Sequence, residues 1–261
     1  MLKKNQIIDV ARLSYLCYLS EKEVCKFYIN RPFNKNSNEL VFNKVANKPK
    51  FINCLNTDCQ LMTVDYANHL VVVFRGTESK KDILTDINIY QKKLKLNNNK
   101  YDPYVHSGFL NQFMSIEKQL EENLKNQKSI IFCGHSLGGA LATIASLHYK
   151  FMFKDKYIGC VTFGSPRVGN NSFVDLFNKN INYSLRYVND NDPIPCFPTR
   201  WRYRHVNGLQ WLNNDIIENE IKTWRFYRFM KNFILNFFGF GYNSLDDHSC
   251  KNYISDITNI L

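Results

Sequence analysis

Short apolar runs alternate along this chain with longer stretches of helical periodicity. Leu70-Val71-Val72-Val73-Phe74, Ile130 to Cys133 and Tyr157–Phe163 are too short for buried helices, and they read as strands covered on both faces. Gln60–Tyr66 and His69–Arg75 flank Ala67-Asn68 and predict a hairpin, with its second arm as a central strand. Ser184–Val188 predicts a further strand and Trp201–Val206 another. Ile7, Val10, Ala11, Ser14 and Tyr18 mark a helix over 5–19. Ser79-Lys80-Lys81-Asp82 has the form of a capping box, and Ile83, Ile87, Tyr90 and Leu94 then recur on one helical face. Helices are also expected over 108–126, in the Ala/Leu-rich stretch after residue 136, near 171–180, over the aromatic stretch 216–240, and at the C-terminus through Tyr253, Ile257 and Ile260. Residues 30–50, rich in Asn and Lys with Pro32 and Pro49, read as loop. Strands alternating with helices predict an α/β fold whose sheet is mainly parallel after the N-terminal antiparallel hairpin, with helices on both faces. No linker or repeat divides residues 1–261, so one domain is expected.

Composition narrows the class without choosing a function. With 44% hydrophobic and 15% aromatic residues, the 261-residue chain can bury a sizeable core. The net charge of +11 points to an anionic partner, either nucleic acid or a membrane surface. No nucleic-acid-binding motif supports the first, so no nucleic-acid partner is expected. Eight cysteines, at 17, 25, 54, 59, 133, 160, 196 and 250, form no CxxC pair or zinc-like spacing and read as mostly reduced thiols of an intracellular protein, with the even count leaving disulfides open. Asp9 and Arg12 interrupt the N-terminal apolar residues, which makes a poor secretory signal, and no long uncharged run predicts a transmembrane helix. Neither a metal site nor a cofactor is predicted.

The chemistry centres on residues 129–145. A buried strand runs into Gly134-His135-Ser136-Leu137-Gly138, followed at once by a helix-forming segment. Strand, tight turn and helix around G-x-S-x-G describe a nucleophile elbow: the glycines let strand and helix close up, and the turn presents the serine hydroxyl. Ser136 is therefore the candidate nucleophile. A serine hydroxyl needs a base and an orienting acid. Asp192, held extended by Pro193 after the strand Leu185–Val188, is the favoured acid, with Asp190 as its rival. Two later histidines can supply the base. His205 lies in a predicted strand, whereas His248 follows Asp246-Asp247 in a loop before the last helix, and His248 is preferred.

Taken together, these stretches resemble the class 3 lipases, the fungal-type triacylglycerol lipase family with an α/β-hydrolase fold. The resemblance is carried by Val73-Phe74-Arg75-Gly76-Thr77, Val105-His106-Ser107-Gly108-Phe109, Gly134 to Gly139, Thr162 to Gly169, Val188 to Pro195, and His248 with Tyr253 beyond it. It implies a Ser136, Asp192 and His248 triad, and an oxyanion hole formed by Thr77, through its N–H and hydroxyl, with the Leu137 N–H. The expected activity is hydrolysis of lipid carboxylic esters through an acyl-enzyme. The alternatives are a phospholipase A-type or lysophospholipase activity on membrane lipids, or a silent lipid-binding relative. Directly after Thr77, the stripe Ile83, Ile87, Tyr90 and Leu94 reads either as a lid, from its position, or as a core-facing helix face. Arg225, Arg228 and Lys231, interleaved with aromatics in 222–240, form a candidate contact with an anionic membrane or lipid droplet, the alternative being that 222–240 packs as core.

Overall fold

Two amphipathic segments open the chain, α1 (Lys4–Leu16) and α2 (Glu21–Ile29). They come from a computed structural model that describes residues 2–29, 48–66, 68–77, 90–97, 103–189, 192–213, 216–218 and 247–261. The strands β1 (Lys50–Cys54), β2 (Cys59–Tyr66) and β3 (His69–Phe74) then form an antiparallel meander. A small separate ribbon follows, β4 (Gln91–Lys93) with β5 (Tyr104–His106). The rest alternates helix and strand: α3 (Ser107–Leu124), β6 (Ser129–His135), α4 (Leu137–Met152), β7 (Tyr157–Phe163), α5 (Asn171–Asn180) and β8 (Tyr183–Asn189). A 3-10 turn at Ile194–Cys196, β9 (Leu209–Asn213), β10 (Ile216–Glu218) and α6 (Cys250–Ile260) complete the described chain. The main sheet runs β1-β2-β3-β6-β7-β8-β9-β10, parallel from β3 to β9 and antiparallel at both ends.

The apolar runs are continuous because both faces of the central strands are covered. Leu70, Val72 and Phe74 of β3 and Ile130 and Phe132 of β6 pack with α3 and α4 on one face. Val71, Val73, Ile131 and Cys133, one residue out of phase, pack with α1 and α6 on the other. The parallel pairs β3–β6, β6–β7 and β7–β8 are joined through the crossover helices α3, α4 and α5, and β8–β9 through the segment that holds the 3-10 turn. Among the described residues, no helix is long and apolar enough to cross a membrane.

The α/β sheet, its antiparallel start and the hairpin at 59–74 match the sequence expectation. Other expectations do not survive. The helical stripe over Ile83, Ile87, Tyr90 and Leu94 does not extend as one helix: Gln91–Lys93 is a strand paired with 104–106, and Leu94 is buried in the core beside Leu96 and Val105. Ile83 and Ile87 lie outside the described residues. Residues 201–206 form no strand, only an isolated bridge from Arg204 to Gly169. The next sheet strands are β9 and β10, so 216–218, expected to be helical, is extended, as its paired β-branched Ile216 and Ile217 favour. The remaining residues to 240, with Arg225, Arg228 and Lys231, fall outside the described chain.

The face carrying α3 and α4 is closed by Phe113, fully buried, with its ring edge-on to His148 and Tyr149 of α4. Phe113→Ala should cost about 3–5 kcal/mol and lower the melting temperature by roughly 10 °C, measured by calorimetry. A shift within a few degrees would show that the α3–α4 seam can collapse to fill the void.

Candidate active site

The elbow is built by backbone packing on backbone. A Cβ on Gly134 would lie 2.4 Å from the Gly138 carbonyl carbon, and one on Gly138 would lie 2.2 Å from the Phe74 carbonyl oxygen. Only glycine permits these approaches, which press the start of α4 onto the end of β3. Between them Ser136 adopts φ 58° and ψ −127°, a region that costs a non-glycine residue about 1–3 kcal/mol. Its N–H donates to the Phe163 carbonyl at 2.9 Å, and its own carbonyl accepts the Gly139 N–H at 2.9 Å, which holds the strained conformation from both sides. Leu137 is the first residue of α4, so its N–H is among those that a helix leaves without an intrahelical partner. Thr77, half-buried, stands in the coil leaving β3, two residues past the Arg75 carbonyl carbon that a Gly138 side chain would meet at 3.0 Å.

His248 and Asp192 arrive from distant parts of the chain. Asp192 lies beyond the end of β8, and His248 stands just before α6, whose Tyr253 is buried beneath both. The His248 Nδ1–H donates to Asp192 Oδ2 at 2.8 Å, which fixes the imidazole tautomer and leaves the lone pair on Nε2. The same carboxylate oxygen accepts the Tyr253 hydroxyl at 2.6 Å, while the other oxygen accepts the Ile194 N–H at 2.9 Å. The Tyr253 hydroxyl in turn accepts the Asn189 N–H at 2.9 Å. Burial and the Asp192 charge push the Tyr253 phenol well above its ordinary value, so it remains a donor.

The imidazole of His248 rests against His135, the residue before Ser136, with ring centroids 4.6 Å apart. It also lies over Gly164, where a Cβ would sit 3.1 Å from the ring and 2.7 Å from Asp192 Oδ2. Two buried polar atoms in this cluster have no hydrogen-bond partner: Ser136 Oγ and His248 Nε2. An unsatisfied buried group costs about 1–3 kcal/mol, so their coincidence in one cluster calls for a ligand or a proton to share.

His135 supports this arrangement in a way its sequence position did not disclose. Its Nε2–H donates to the His248 carbonyl at 2.7 Å, so its Nδ1 accepts the Tyr18 hydroxyl at 2.8 Å. Tyr18 comes from the segment after α1, and a buried chain of polar contacts thus joins the N-terminal region to the loop carrying His248. His205, the rival base, lies elsewhere: its Nε2–H donates to the Pro195 carbonyl at 2.7 Å. Burial, with Arg186 and Arg167 nearby, holds its imidazole well below the ordinary value, so it stays neutral. Asp190 lies outside the described residues. Tyr90 is exposed at the surface, and Leu94 belongs to the core. No group of three or more metal-ligating side chains occurs among the described residues.

Residues 71–201, half of the chain, match the model of the class 3 lipases. The chain belongs to that family. Among curated relatives, it is 29% identical over 159 residues to a secreted mono- and diacylglycerol lipase of Fusarium solani, a match covering 58% of this chain and 46% of that protein. It is 32% identical over 149 residues to a chloroplastic phospholipase A(1) of Arabidopsis thaliana, covering 49% of this chain and 33% of that one. The chain therefore spans less than half the length of these relatives. Among solved structures, the triacylglyceride lipase of Rhizomucor miehei superposes with a TM-score of 0.66 at 22% identity, covering 81% of this chain and 80% of that one. The last comparison shows a shared fold, the class 3 lipase sheet and its helices.

Tyr18→Phe removes the hydroxyl from His135 and should lower ester turnover about two- to ten-fold with KM little changed. Unchanged turnover would show that His248 does not depend on this chain of contacts. The neutral His205 has a second consequence. In the unfolded chain it takes up a proton near pH 6.5 and in the folded protein it does not, so stability falls as pH drops below about 6.5. His205→Gln, which keeps a donor for the Pro195 carbonyl, should flatten the decline in melting temperature between about pH 7 and 5; an unaltered slope would assign the decline to other groups.

Proposed function

We propose that this chain is a serine hydrolase of lipid carboxylic esters. The observation that carries the reading is the pair of unpartnered buried atoms, Ser136 Oγ and His248 Nε2, with the other nitrogen of the same imidazole held by Asp192. A neutral imidazole fixed in this tautomer can take only one proton, at Nε2, and the hydroxyl is the group that lacks an acceptor. In the reaction, the Ser136 proton passes to His248 Nε2 as Oγ attacks the ester carbonyl carbon. Asp192, supplied with the Tyr253 and Ile194 donors, stabilises the resulting imidazolium. The carbonyl electron pair moves onto oxygen, where the Leu137 and Thr77 N–H groups and the Thr77 hydroxyl receive it; one such donor is typically worth about 2.7–4 kcal/mol. Collapse of the tetrahedral species expels the alcohol, which takes the proton from His248, and water repeats the sequence to release the acid.

The substrate class is an acylglycerol, supported by the relative from Fusarium solani and by the family. The phospholipase relative from Arabidopsis thaliana and the +11 charge favour a second reading, cleavage of a phospholipid acyl ester. A silent lipid-binding role is disfavoured because the strained serine, its base and its acid are all retained at a cost that binding alone does not require. In either catalytic case, the substrate resides in an aggregate, and the enzyme works in peripheral contact with it. All eight cysteines are free thiols, which supports an intracellular site of action, although the Fusarium solani relative is secreted.

Ser136→Ala and His248→Ala should each lower ester turnover by at least about 10³-fold, and Asp192→Asn by a similar factor, with melting temperatures near that of the parent. His205→Ala should retain most activity. A fluorophosphonate should label Ser136 in the parent and not in Ser136→Ala; labelling elsewhere, or activity surviving His248→Ala but not His205→Ala, would overturn the assignment.

A further inference from the structure

Large apolar side chains exposed on the described surface are few, and two of them come from segments bonded to one another. Trp201 is 84% exposed and Tyr90 is 67% exposed. Their segments are bound to one another: the Gln91 side chain donates to the Arg202 carbonyl at 2.8 Å, and the Tyr203 hydroxyl donates to the Tyr90 carbonyl at 3.1 Å. Tyr203 is itself buried, and the loop is pinned on both sides. The Pro198 carbonyl accepts from Arg167 at 2.7 Å before Trp201, and the Arg204 N–H donates to Gly169 at 2.8 Å after it. Between these anchors Arg200, Trp201 and Arg202 project into solvent, with the Arg202 guanidinium 5.6 Å over the indole. Nothing in the core requires an exposed indole on so firmly held a backbone. Among the described residues, no carboxylate lies within ion-pair distance of Arg200 or Arg202.

The location matters as much as the composition. The loop follows the 3-10 turn that begins two residues after Asp192, so it lies at the end of the sheet where β6 delivers Ser136 and β8 leads to Asp192. The patch is thus carried by the chain that leaves Asp192 and supplies none of the cluster's groups. An indole and a phenol beside guanidinium groups match the boundary of a phospholipid layer, where amphipathic rings settle at headgroup level and cations meet anionic lipids.

We propose that the face formed by Tyr90, Arg200, Trp201 and Arg202 docks the protein onto an anionic phospholipid membrane. The proposal rests on the lipid-ester reading above and adds the surface that places the active site against its substrate. The aromatic pair sets contact with the apolar edge of the layer, and the two arginines make that contact selective for negative charge. Docking here is independent of the basic stretch at Arg225, Arg228 and Lys231.

The test is sedimentation with phosphatidylcholine vesicles, with and without phosphatidylserine, using the whole protein. The parent should bind the phosphatidylserine vesicles more tightly and lose that preference in high salt. Arg200→Gln with Arg202→Gln should weaken binding to them about thirty-fold, about five-fold per arginine. Trp201→Ala should weaken binding to both kinds of vesicle. Turnover of a short soluble ester and fluorophosphonate labelling of Ser136 should be unchanged in all of these variants. Equal binding by parent and double variant would overturn the proposal, as would a parent that binds neither vesicle or ignores phosphatidylserine. So would a loss seen only with Arg225, Arg228 and Lys231 replaced by glutamine. Equal affinity for duplex DNA with no effect of Trp201→Ala would mark a general polyanion patch and overturn it too. Labelling reports the hydrolase reading separately: labelled protein without selective docking sinks the docking face alone, and selective docking without labelling sinks the hydrolase alone.

Discussion

The contact of backbone with backbone at the strand–helix turn is the constraint from which the rest of the site follows. Gly134 meets the Gly138 carbonyl carbon, and Gly138 meets the Phe74 carbonyl oxygen, at distances where a methyl group has no space. Because α4 is pressed so close to β3, its first N–H groups lie beside the coil at 75–77. The same closeness leaves Ser136 no relaxed conformation, and it takes a positive φ. Position, exposure of the donors and strain at the serine are therefore one geometric fact seen from three sides. A side chain at either glycine would relax the turn and separate all of them at once.

Around this turn, buried hydrogen bonds substitute for covalent proximity. Asp192 and His248 are 56 residues apart, and His135 is 113 residues from the carbonyl it meets. Each such bond contributes only about 1 kcal/mol net, yet losing one partner strands a buried polar atom at greater cost. The asymmetry makes the network specific even though it adds little stability. Helix α6 shows the economy of the arrangement: its entry carries His248, and one turn later Tyr253 steadies the carboxylate that holds His248. The segment after α1 adds Tyr18 from the opposite end of the chain.

The sequence made legible what depends on local chemistry. Apolar runs at 70–74 and 130–133 specify strands covered on both faces, and G-x-S-x-G between a strand and a helix specifies a turn. Proline and chain order pointed to Asp192 and His248, whose side chains meet at 2.8 Å. What depends on distant partners was hidden. β1, with Lys50 and Asn53 among its apolar residues, shows little pattern because it has a neighbour on only one side. Leu94 fits a helical stripe by spacing alone, and only the pairing of Gln91 with His106 turns it into the residue after a strand. At 201–206 the β-rich composition belongs to a loop in which Tyr203 is buried and Trp201, two residues earlier, is exposed, whereas a strand would place both on one face. The role of His135 was hidden, since no local rule connects it to Tyr18.

A last consequence joins the buried site to the exposed face. Ser136 has no accessible surface and His248 is 2% exposed, so no ester carbon can reach Oγ unless surrounding atoms move apart. Such an opening costs free energy in water, because it exposes apolar lining and strands polar groups. A ligand can shift that balance only by binding the open arrangement better than the closed one. A lipid layer shifts the balance further than a dissolved ester of the same chemistry, since it offers apolar volume to whatever surface the opening exposes. A face with an indole, a phenol and two guanidinium groups beside the site would keep the protein at that layer while the opening occurs. Firm anchoring of the 198–204 loop is then an advantage, because a docking surface that yielded would lose its orientation before the serine met its substrate.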